Sequence, residues 1–257
     1  MVHGFGADRH AWIGTAPDLT QNNTVYTVEL PGHGNAWDLT AASGLMALCE
    51  QTLIPAIAQI HHEVNAPVHV VGHSLGGAMA ILAVADALEQ KASAPIASLS
   101  LIAPLGLGTG ANNDFIQRFV KLDNEASAVE VLQQTVFDKR LISRRLIQPL
   151  LVHLQKDGVR ATQSAIARDV LDSCNELPLA IEQIASSVLP RQVIWGLNDA
   201  INGIVANDES RFGGAWHKFE DCGHLPHVEH RVQVNNLLTD LVHRCTSTSS
   251  SITLQPK

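Results

Sequence analysis

Short apolar runs alternate with longer stretches of helical periodicity along most of the chain. Brief runs rich in β-branched residues predict strands, and apolar residues spaced three and four apart predict helices. The predicted strands lie near residues 24–30, 67–72, 96–103, 192–196 and 215–220, and long helices near 41–62, 75–91 and 226–244. This alternation is typical of a doubly wound, mostly parallel sheet, so the predicted fold class is α/β.

The alternation stops between Leu105 and about Ser187, where the sequence carries no strand signal. Amphipathic segments replace the strands, near residues 112–122, 126–137, 141–156 and 158–173. We interpret residues 108–187 as an inserted helical cap that shapes a substrate pocket. The candidate substrate-binding residues are Phe115, Phe119, Phe137 and Leu141. The alternative for each is that it only packs cap helices together.

A serine between glycines directly follows the apolar run 67–71. The sequence Gly72-His73-Ser74-Leu75-Gly76 has the pattern G-x-S-x-G and precedes a stretch that favours helix. A tight strand-to-helix turn holds such a serine in a strained conformation that exposes its hydroxyl, and the glycines let the helix pack on the strand. We therefore predict that Ser74 is a nucleophile. The alternative is an ordinary glycine-rich turn.

A serine nucleophile needs a base and an acid that orients the base. Asp199 follows the predicted strand 192–196, and His224 follows the predicted strand 215–220 and a glycine. The chain order Ser, Asp, His is one of the known orders of a catalytic triad, so Asp199 and His224 are the predicted partners of Ser74. The rivals are His227 as the base and, as the acid, Asp172, Asp208 and Asp221.

Two backbone N–H groups complete the predicted site. His3-Gly4-Phe5-Gly6 begins with a His-Gly pair, and such a pair at the end of a strand lets the next backbone N–H point into the site. The N–H groups of Phe5 and Leu75 are therefore the predicted oxyanion hole. A simple glycine turn is the alternative.

Five motifs together resemble the α/β-hydrolase superfamily over almost the whole chain. They are His3-Gly4-Phe5-Gly6, Leu30-Pro31-Gly32-His33-Gly34, residues 72–77, Trp195-Gly196 with Asp199, and Gly223-His224. Stretches at 103–108, 115–120, 137–144 and 156–159 are similar to the hydrolase-type domain of the dihydrolipoyllysine-residue acetyltransferase component of acetoin dehydrogenase complexes. This resemblance implies a lipoyl or coenzyme A acyl carrier as a candidate partner.

The beginning of the chain departs from that family. Family members carry a β-hairpin and most of a third strand before the His-Gly pair, whereas this chain begins Met1-Val2-His3-Gly4. Without that strand, neighbouring N–H and C=O groups would stay unpaired, at about 1 to 3 kcal/mol each when buried. The expectation is that N-terminal strands are missing and the chain is a fragment. The alternative is that residues 252–254 or a partner chain fill the gap.

A second motif points to a different fold. Residues 153–158 match the H-x-x-x-D-G pattern of dihydrolipoyl acyltransferase catalytic domains, in which the histidine is a base. Here His153 falls within a predicted cap helix, which Asp157 and Gly158 end, so we interpret the match as coincidence.

Length and composition fit one domain. The 257 residues, 46% of them hydrophobic, predict an α/β-hydrolase domain over residues 1–245 and a disordered tail over 246–257. The sequence has no long apolar run and no secretory or lipidation signal, so we expect a cytoplasmic protein with no membrane partner. The separated cysteines Cys49, Cys174, Cys222 and Cys245 favour reduced thiols over disulfides or zinc ligands. No metal or cofactor is predicted.

The formal net charge of −8 opposes nucleic-acid binding. One short basic cluster, which we interpret as a solvated face, comprises Lys139, Arg140, Arg144 and Arg145. Contact with an anionic acyl carrier is its alternative role.

The resulting prediction is a serine-nucleophile hydrolase that acts on a small ester, thioester or related carbonyl substrate through an acyl-serine. Three alternatives stay open. They are an acyltransferase of an acetoin dehydrogenase-type complex, which would use the same triad with a thiol acceptor, a non-catalytic hydrolase-like module of such a complex, and an inactive fragment of an active enzyme.

Overall fold

The structure is a computed structural model, and it describes residues 1–90, 96–172 and 177–250, with side chains as far as residue 246. Its sheet has the strands β1 Val68–His73, β2 Ile96–Ile102, β3 Arg191–Gly196 and β4 Ala215–Phe219. They are all parallel and lie in the order β1-β2-β3-β4. Because parallel strands point the same way, the loops after them meet at one edge of the sheet.

Helices connect the strands and cover the sheet. In the described residues the α-helices are α1 Ala16–Leu19, α2 Leu45–Gln51, α3 Leu53–Val64, α4 Leu75–Glu89, α5 Asn113–Phe119, α6 Glu125–Leu132, α7 Arg144–Leu154, α8 Val159–Asp172, α9 Leu177–Ala185, α10 Asp208–Phe212, α11 Pro226–Glu229 and α12 Arg231–Ser250. Short 3-10 helices are found at Arg9–Trp12, Gly34–Ala36, Gln133–Thr135 and Lys139–Leu141. None of the described helices has both the length and the apolar character needed to cross a bilayer.

The prediction of a strand at 24–30 was wrong. Only Val28 makes a bridge there, to Val2, and Val2 also bridges to Gly72 of β1. Val2 N–H donates to the Val71 carbonyl at 2.9 Å, and Val28 N–H donates to the Met1 carbonyl at 3.0 Å. Within the described residues only Met1 and Val2 pair with this segment, so the ladder is too short to form a strand.

The predicted helix 41–62 is divided into α2 and α3 at Thr52. Pro55 explains the division, because a proline inside a continuous helix clashes with the carbonyl four residues earlier, here that of Gln51. Starting a new helix at Leu53 places Pro55 in its first turn, where an N–H has no helical partner.

The predicted helix 226–244 also differs from the structure. It is divided into α11 and α12 at His230, and α12 continues to Ser250, five residues beyond the predicted domain end at 245. Residues 251–257 of the predicted tail lie outside the described residues.

Helix α4 forms the centre of the core. Every residue from Leu75 to Ala85 is buried, because small Gly and Ala side chains let both the sheet and neighbouring helices approach. Helix α9 packs against α4, and Gln183 Nε2 donates to the Ala85 carbonyl at 3.0 Å. The predicted cap limit at residue 187 therefore lies too far along the chain, since α9 belongs to the layer beside α4.

The cap consists of α5 to α8, close to the four predicted segments. Two side chains of the cap form hydrogen bonds with the backbone carbonyl of Gly32. His153 Nε2 and Gln163 Nε2 lie 3.0 Å and 2.9 Å from Gly32 O. Thr162 also occupies the space beside Gly32, where a Cβ would lie 2.8 Å from the Thr162 methyl carbon. His153 thus has a structural contact in the cap, in keeping with the interpretation of its motif as coincidence.

Candidate active site

Ser74 lies at the end of β1 in a strained backbone conformation. Its φ of 52° and ψ of −116° are unusual for a residue with a side chain. The glycines of the motif have steric reasons to be there. A Cβ on Gly72 would lie 2.3 Å from Gly76 O, and a Cβ on Gly76 would lie 2.4 Å from Val2 O. The structure thus has the sharp strand-to-helix turn that the motif predicted.

Asp199 and His224 are bonded to each other at the same edge of the sheet. His224 Nδ1 and Asp199 Oδ2 are 2.7 Å apart, and both residues are buried. Asp199 Oδ1 accepts the N–H groups of Ile201 and Asn202 at 2.8 and 2.9 Å, and Oδ2 also accepts Trp195 Nε1–H at 3.1 Å. Because a carboxylate only accepts hydrogen bonds, His224 carries its proton on Nδ1, which leaves Nε2 as the acceptor.

Close contact between two loops brings the pair together. A Cβ on Gly196, after which the Asp199 loop begins, would lie 2.1 Å from Gly223 O. Asn198 N–H donates to the Cys222 carbonyl at 2.9 Å. The approach of the two loop backbones therefore requires a glycine at position 196. Gly223 is required by a different neighbour, because a Cβ there would lie 2.8 Å from Thr135 O in the cap.

The rival residues have other environments. The His227 ring packs between Trp12 and His73, with centroids 5.1 and 4.7 Å away, and burial lowers its pKa to about 3. Asp208 accepts Gly108 N–H at 2.6 Å and so fixes a neighbouring loop. Asp221 is exposed with a φ of 50°, and Asp172 is exposed at the end of α8. In the described residues, the carboxylate that hydrogen-bonds His224 is that of Asp199.

The loop at residues 3–6 presents a free N–H beside the serine. His3 Nδ1 donates to the Gly4 carbonyl at 2.8 Å, while His3 Nε2 accepts Leu30 N–H at 3.1 Å. In a trans peptide, C=O and N–H point in opposite directions, so this bond turns Phe5 N–H away from His3. Within the described residues neither Phe5 N–H nor Leu75 N–H has a hydrogen-bond partner. A Cβ on Gly4 would lie 3.0 Å from Ser74 Cβ, which places this loop against Ser74.

His33 is a structural residue that supports the same loop. Its Nδ1 donates to the Pro31 carbonyl at 2.8 Å, and its Nε2 accepts Gly6 N–H at 3.0 Å. Burial lowers its pKa to about 3, so the ring stays neutral and can accept this bond. Since Gly32 also binds the cap, the segment 31–33 connects the cap to the Phe5 loop.

The four apolar cap candidates occupy two environments. Phe115 and Phe119 are 5% and 2% exposed, and the Phe119 ring packs against Phe5 with centroids 5.4 Å apart. Phe137 and Leu141 are 45% and 39% exposed. The structure thus places the first two behind the Phe5 loop, and the other two at the cap surface.

Glu229 is a supporting residue that the sequence did not indicate. Its Oε1 accepts Gly223 N–H at 2.7 Å, and its Oε2 accepts the N–H groups of Phe137 and Asp138 at 2.7 and 3.1 Å. His224 N–H donates to the Thr135 carbonyl at 2.8 Å. These bonds join the cap segment 135–138 to the loop of His224. No pattern could have indicated Glu229, because its partners are backbone groups.

Two arginines of the basic cluster have carboxylate partners, and two of the thiols are buried. In the basic cluster, Arg140 pairs with Asp138 and Arg144 with Glu125, at 2.8 and 2.6 Å. Burial raises the pKa of the Cys49 thiol to about 12 and also raises that of Cys222. The described residues contain no group of His, Cys, Asp and Glu side chains that could hold a metal ion. Cys174 lies outside the described residues.

A cavity of about 690 Å³ opens at the opposite edge of the sheet. Its lining includes Ile96, Arg191 and Ala215, the first residues of three strands. Since Ser74, Asp199 and His224 all follow strand ends, this cavity is not the site described above.

The parallel sheet, the helices that cover it and the inserted cap form an α/β-hydrolase fold. Residues 1–237 match the family model described as the alpha/beta hydrolase family, and the chain belongs to this family.

Relatives and solved structures agree with this assignment. Over 240 residues the chain is 31% identical to the dihydrolipoyllysine-residue acetyltransferase component of the acetoin cleaving system of Pseudomonas putida, covering 91% of this chain but 60% of that protein. It is 25% identical to monoacylglycerol lipase ABHD6 of Mus musculus, covering 94% of this chain and 74% of the lipase. The fold is similar to that of 2-hydroxy-6-oxo-6-phenylhexa-2,4-dienoate hydrolase of Rhodococcus, with a TM-score of 0.79, 18% identity, and coverage of 94% of this chain and 89% of that one.

Proposed function

We propose that this protein is a serine-nucleophile hydrolase that cleaves a small ester, thioester or related carbonyl substrate through an acyl-serine intermediate. The observation that carries the proposal is the buried 2.7 Å bond between His224 Nδ1 and Asp199 Oδ2 at the sheet edge where Ser74 forms a strained turn. Membership of the alpha/beta hydrolase family and relatives named as lipase and hydrolase support the same class.

The chemistry follows from the protonation state of the histidine. Ser74 Oγ attacks the carbonyl carbon as its proton passes to His224 Nε2, the nitrogen not bonded to Asp199. The tetrahedral intermediate then expels the alkoxide or thiolate, which takes that proton, and the acyl group remains on Ser74. Water attacks the acyl-serine in the same way and releases the acid. Asp199 stabilises the imidazolium in both halves of the reaction.

The free N–H groups of Phe5 and Leu75 would hold the oxyanion. The bond from His3 to the Gly4 carbonyl orients the first, and the start of α4 supplies the second. Loss of one such donor costs about 3 kcal/mol in the transition state. Neither N–H has a competing partner in the described residues.

The cap would set the size of the substrate. We assign Phe119, with Phe115 behind it, to the wall that backs Phe5, and this wall favours a small acyl group. Phe137 N–H is held by Glu229, whose other oxygen binds the loop of His224, so Phe137 is assigned to the leaving-group side. Leu141 is the weakest of the four candidates, because it lies on an exposed 3-10 helix.

An acyltransferase is the second candidate function. The similarity to an acetyltransferase component of an acetoin cleaving system favours it, and a lipoyl or coenzyme A thiol would then replace water as the acceptor. The chain spans about 60% of that relative's length. The basic cluster adds little for an anionic carrier, because carboxylates already pair with Arg140 and Arg144.

The test is turnover of p-nitrophenyl acetate by wild type, by Ser74→Ala and by Ser210→Ala. Ser210 is an exposed serine on α10 and serves as the matched control. We expect hydrolysis by wild type and Ser210→Ala but not by Ser74→Ala. Added dihydrolipoamide or coenzyme A separates the two functions, since S-acetyl product at the expense of acetate indicates transfer. Equal rates for Ser74→Ala and wild type would contradict both and favour a non-catalytic module.

A further inference from the structure

His73 lies between the parts of the site and has no role in the reaction described so far. It is the last residue of β1 and directly precedes Ser74. Its side chain is 4% exposed, and its Nε2 lies 3.0 Å from the backbone carbonyl oxygen of His224. Its Nδ1 faces the Phe5 loop of residues 3–6, where a Cβ on Gly4 would lie 2.8 Å from it. The ring of His73 therefore belongs to the turn of Ser74 and contacts both the Phe5 loop and the loop of His224.

The bond to His224 fixes the state of this ring. A carbonyl oxygen only accepts, so His73 must carry its proton on Nε2 and donate it. Its Nδ1 is then unprotonated, and it is buried without a partner in the described residues. A second proton there would place a buried charge without an acceptor, and burial holds the pKa of His73 well below 6.5. The ring is thus a neutral donor of fixed tautomer.

The His73 contact acts on the backbone of the residue that must reach the serine. His224 is held on one side by Asp199 and, through its N–H, by the Thr135 carbonyl. Those bonds connect it to the β3 loop and the cap, but not to the serine. Within the described residues, the hydrogen bond from His73 is the one that joins the turn of Ser74 to the loop of His224.

We propose that His73 is a positioning residue, whose Nε2–H holds the His224 backbone at the distance from Ser74 that proton transfer requires. The inference rests on the proposed function, in which His224 is the base. It gives the residue before the serine in the G-x-S-x-G motif a specific task in this chain. The His227 ring is tilted against that of His73, but within the described residues His227 makes no hydrogen bond to His224, and it is assigned no such task.

The test compares His73→Phe, which keeps a ring but removes the donor, with His73→Gln, whose side-chain amide can reach the position of Nε2. His227→Phe is the matched control, since it alters the same ring cluster without touching the bond. Each variant is measured for its rate of covalent labelling by a fluorophosphonate and for kcat and KM on p-nitrophenyl acetate. Each is also measured for the downfield proton resonance of the His224 Nδ1–H bonded to Asp199, which does not depend on turnover.

We expect His73→Phe to lower the labelling rate and kcat by about 10- to 100-fold with little change in KM, since small misplacements of catalytic groups cost this much. The His224 resonance should shift or broaden as well, while His73→Gln restores most of both signals and His227→Phe changes neither. The proposal is overturned if a folded His73→Phe keeps the wild-type rates and resonance. It is also overturned if a folded His73→Gln is as impaired as His73→Phe.

The two proposals fail in different ways. If wild type is neither labelled nor active, the proposed function fails, and the resonance alone decides whether His73 positions His224. If His73→Phe does not fold, the His73→Gln variant decides. Wild-type rates and a wild-type His224 resonance in His73→Gln support the inference. Loss of both in a folded His73→Gln protein contradicts it.

Discussion

Replacing Asp199 by Asn tests the assignment of the acid through the protonation state of His224. The carboxylate accepts four N–H groups, two on each oxygen. An asparagine has one oxygen, and the N–H groups of Ile201 and Asn202 require it on the Oδ1 side. The amide nitrogen must then face His224 Nδ1 and donate to it. His224 would carry its proton on Nε2, where it could no longer accept one from Ser74.

Asp199→Asn should cause a large loss of activity and a small loss of folding stability. A wrong tautomer of the base costs about 10⁴-fold in kcat in a serine-histidine pair, which is about 5.4 kcal/mol. The loss of folding stability should be much smaller. A mismatched buried polar group costs about 1 to 3 kcal/mol, and we expect a value near the lower limit, about 1 kcal/mol. The reason is that Trp195 Nε1–H retains a second acceptor, the Asn202 carbonyl at 3.0 Å. Asp199→Asn should therefore be a folded, inactive protein.

Asp208→Asn is the matched control for this prediction. Asp208 is also a buried aspartate, 5% exposed against 8% for Asp199, and it accepts a backbone N–H, that of Gly108. Its amide can keep the oxygen on Gly108, so kcat should stay close to wild type. The assay is p-nitrophenyl acetate hydrolysis with thermal unfolding of each variant. A folded Asp199→Asn protein with less than about a tenfold loss of kcat would refute the tautomer argument.

Three further predictions concern stability and the loop contacts. Gly76→Ala should lower the free energy of unfolding by about 1 to 3 kcal/mol, because its Cβ would lie 2.4 Å from Val2 O. The control Gly203→Ala, whose Cβ meets no atom nearer than 3.5 Å, should leave this free energy nearly unchanged in urea titrations. Equal effects of the two variants would contradict the steric argument. Glu229→Gln should lower kcat more than the exposed control Glu220→Gln, since the acceptor for three N–H groups is weakened, and parallel kinetics on both variants check this. Burial lowers the pKa of His33 and of His227 from 6.5 to about 3 in the folded protein. Below pH 6.5 the unfolded state therefore binds more protons than the folded state. The free energy of unfolding should be complete above pH 6.5 and should fall as the pH is lowered towards 3. Each histidine should lower the free energy of unfolding by about 1.4 kcal/mol per pH unit in that range, and His227→Phe should lack the contribution of His227. Free energies from urea unfolding that stay constant between about pH 7.5 and 5 would contradict this.

The sequence predicted those features whose causes are local. Gly72 and Gly76 flank Ser74 because the backbone passes within contact distance at both positions, and that requirement is visible in the motif itself. Asp199 and His224 each follow a strand, and the order of strands in a parallel sheet brings them to one edge. The division of the helix at Thr52 could also have been predicted from the sequence, since Pro55 excludes a continuous helix.

Features that depend on a distant partner could not be predicted. Residues 24–30 have the composition of a strand, but a strand exists only where another segment pairs with it. In the part of the chain that the structure describes, Met1 and Val2 alone do so. Phe119 and Phe137 look alike as cap residues, yet one packs on Phe5 and the other is 45% exposed. Glu229 and His73 bind backbone groups, which leave no pattern in the side chains.

The central claim is that Ser74 is an activated nucleophile, and covalent labelling by a fluorophosphonate tests it most directly. Intact mass would be measured for wild type, Ser74→Ala, His224→Ala and the control Ser210→Ala after the same exposure. We predict one added phosphonyl group on wild type and Ser210→Ala, none on Ser74→Ala, and at most slow labelling of His224→Ala. Equal labelling of Ser74→Ala, or no labelling of a folded wild-type protein, would contradict the claim.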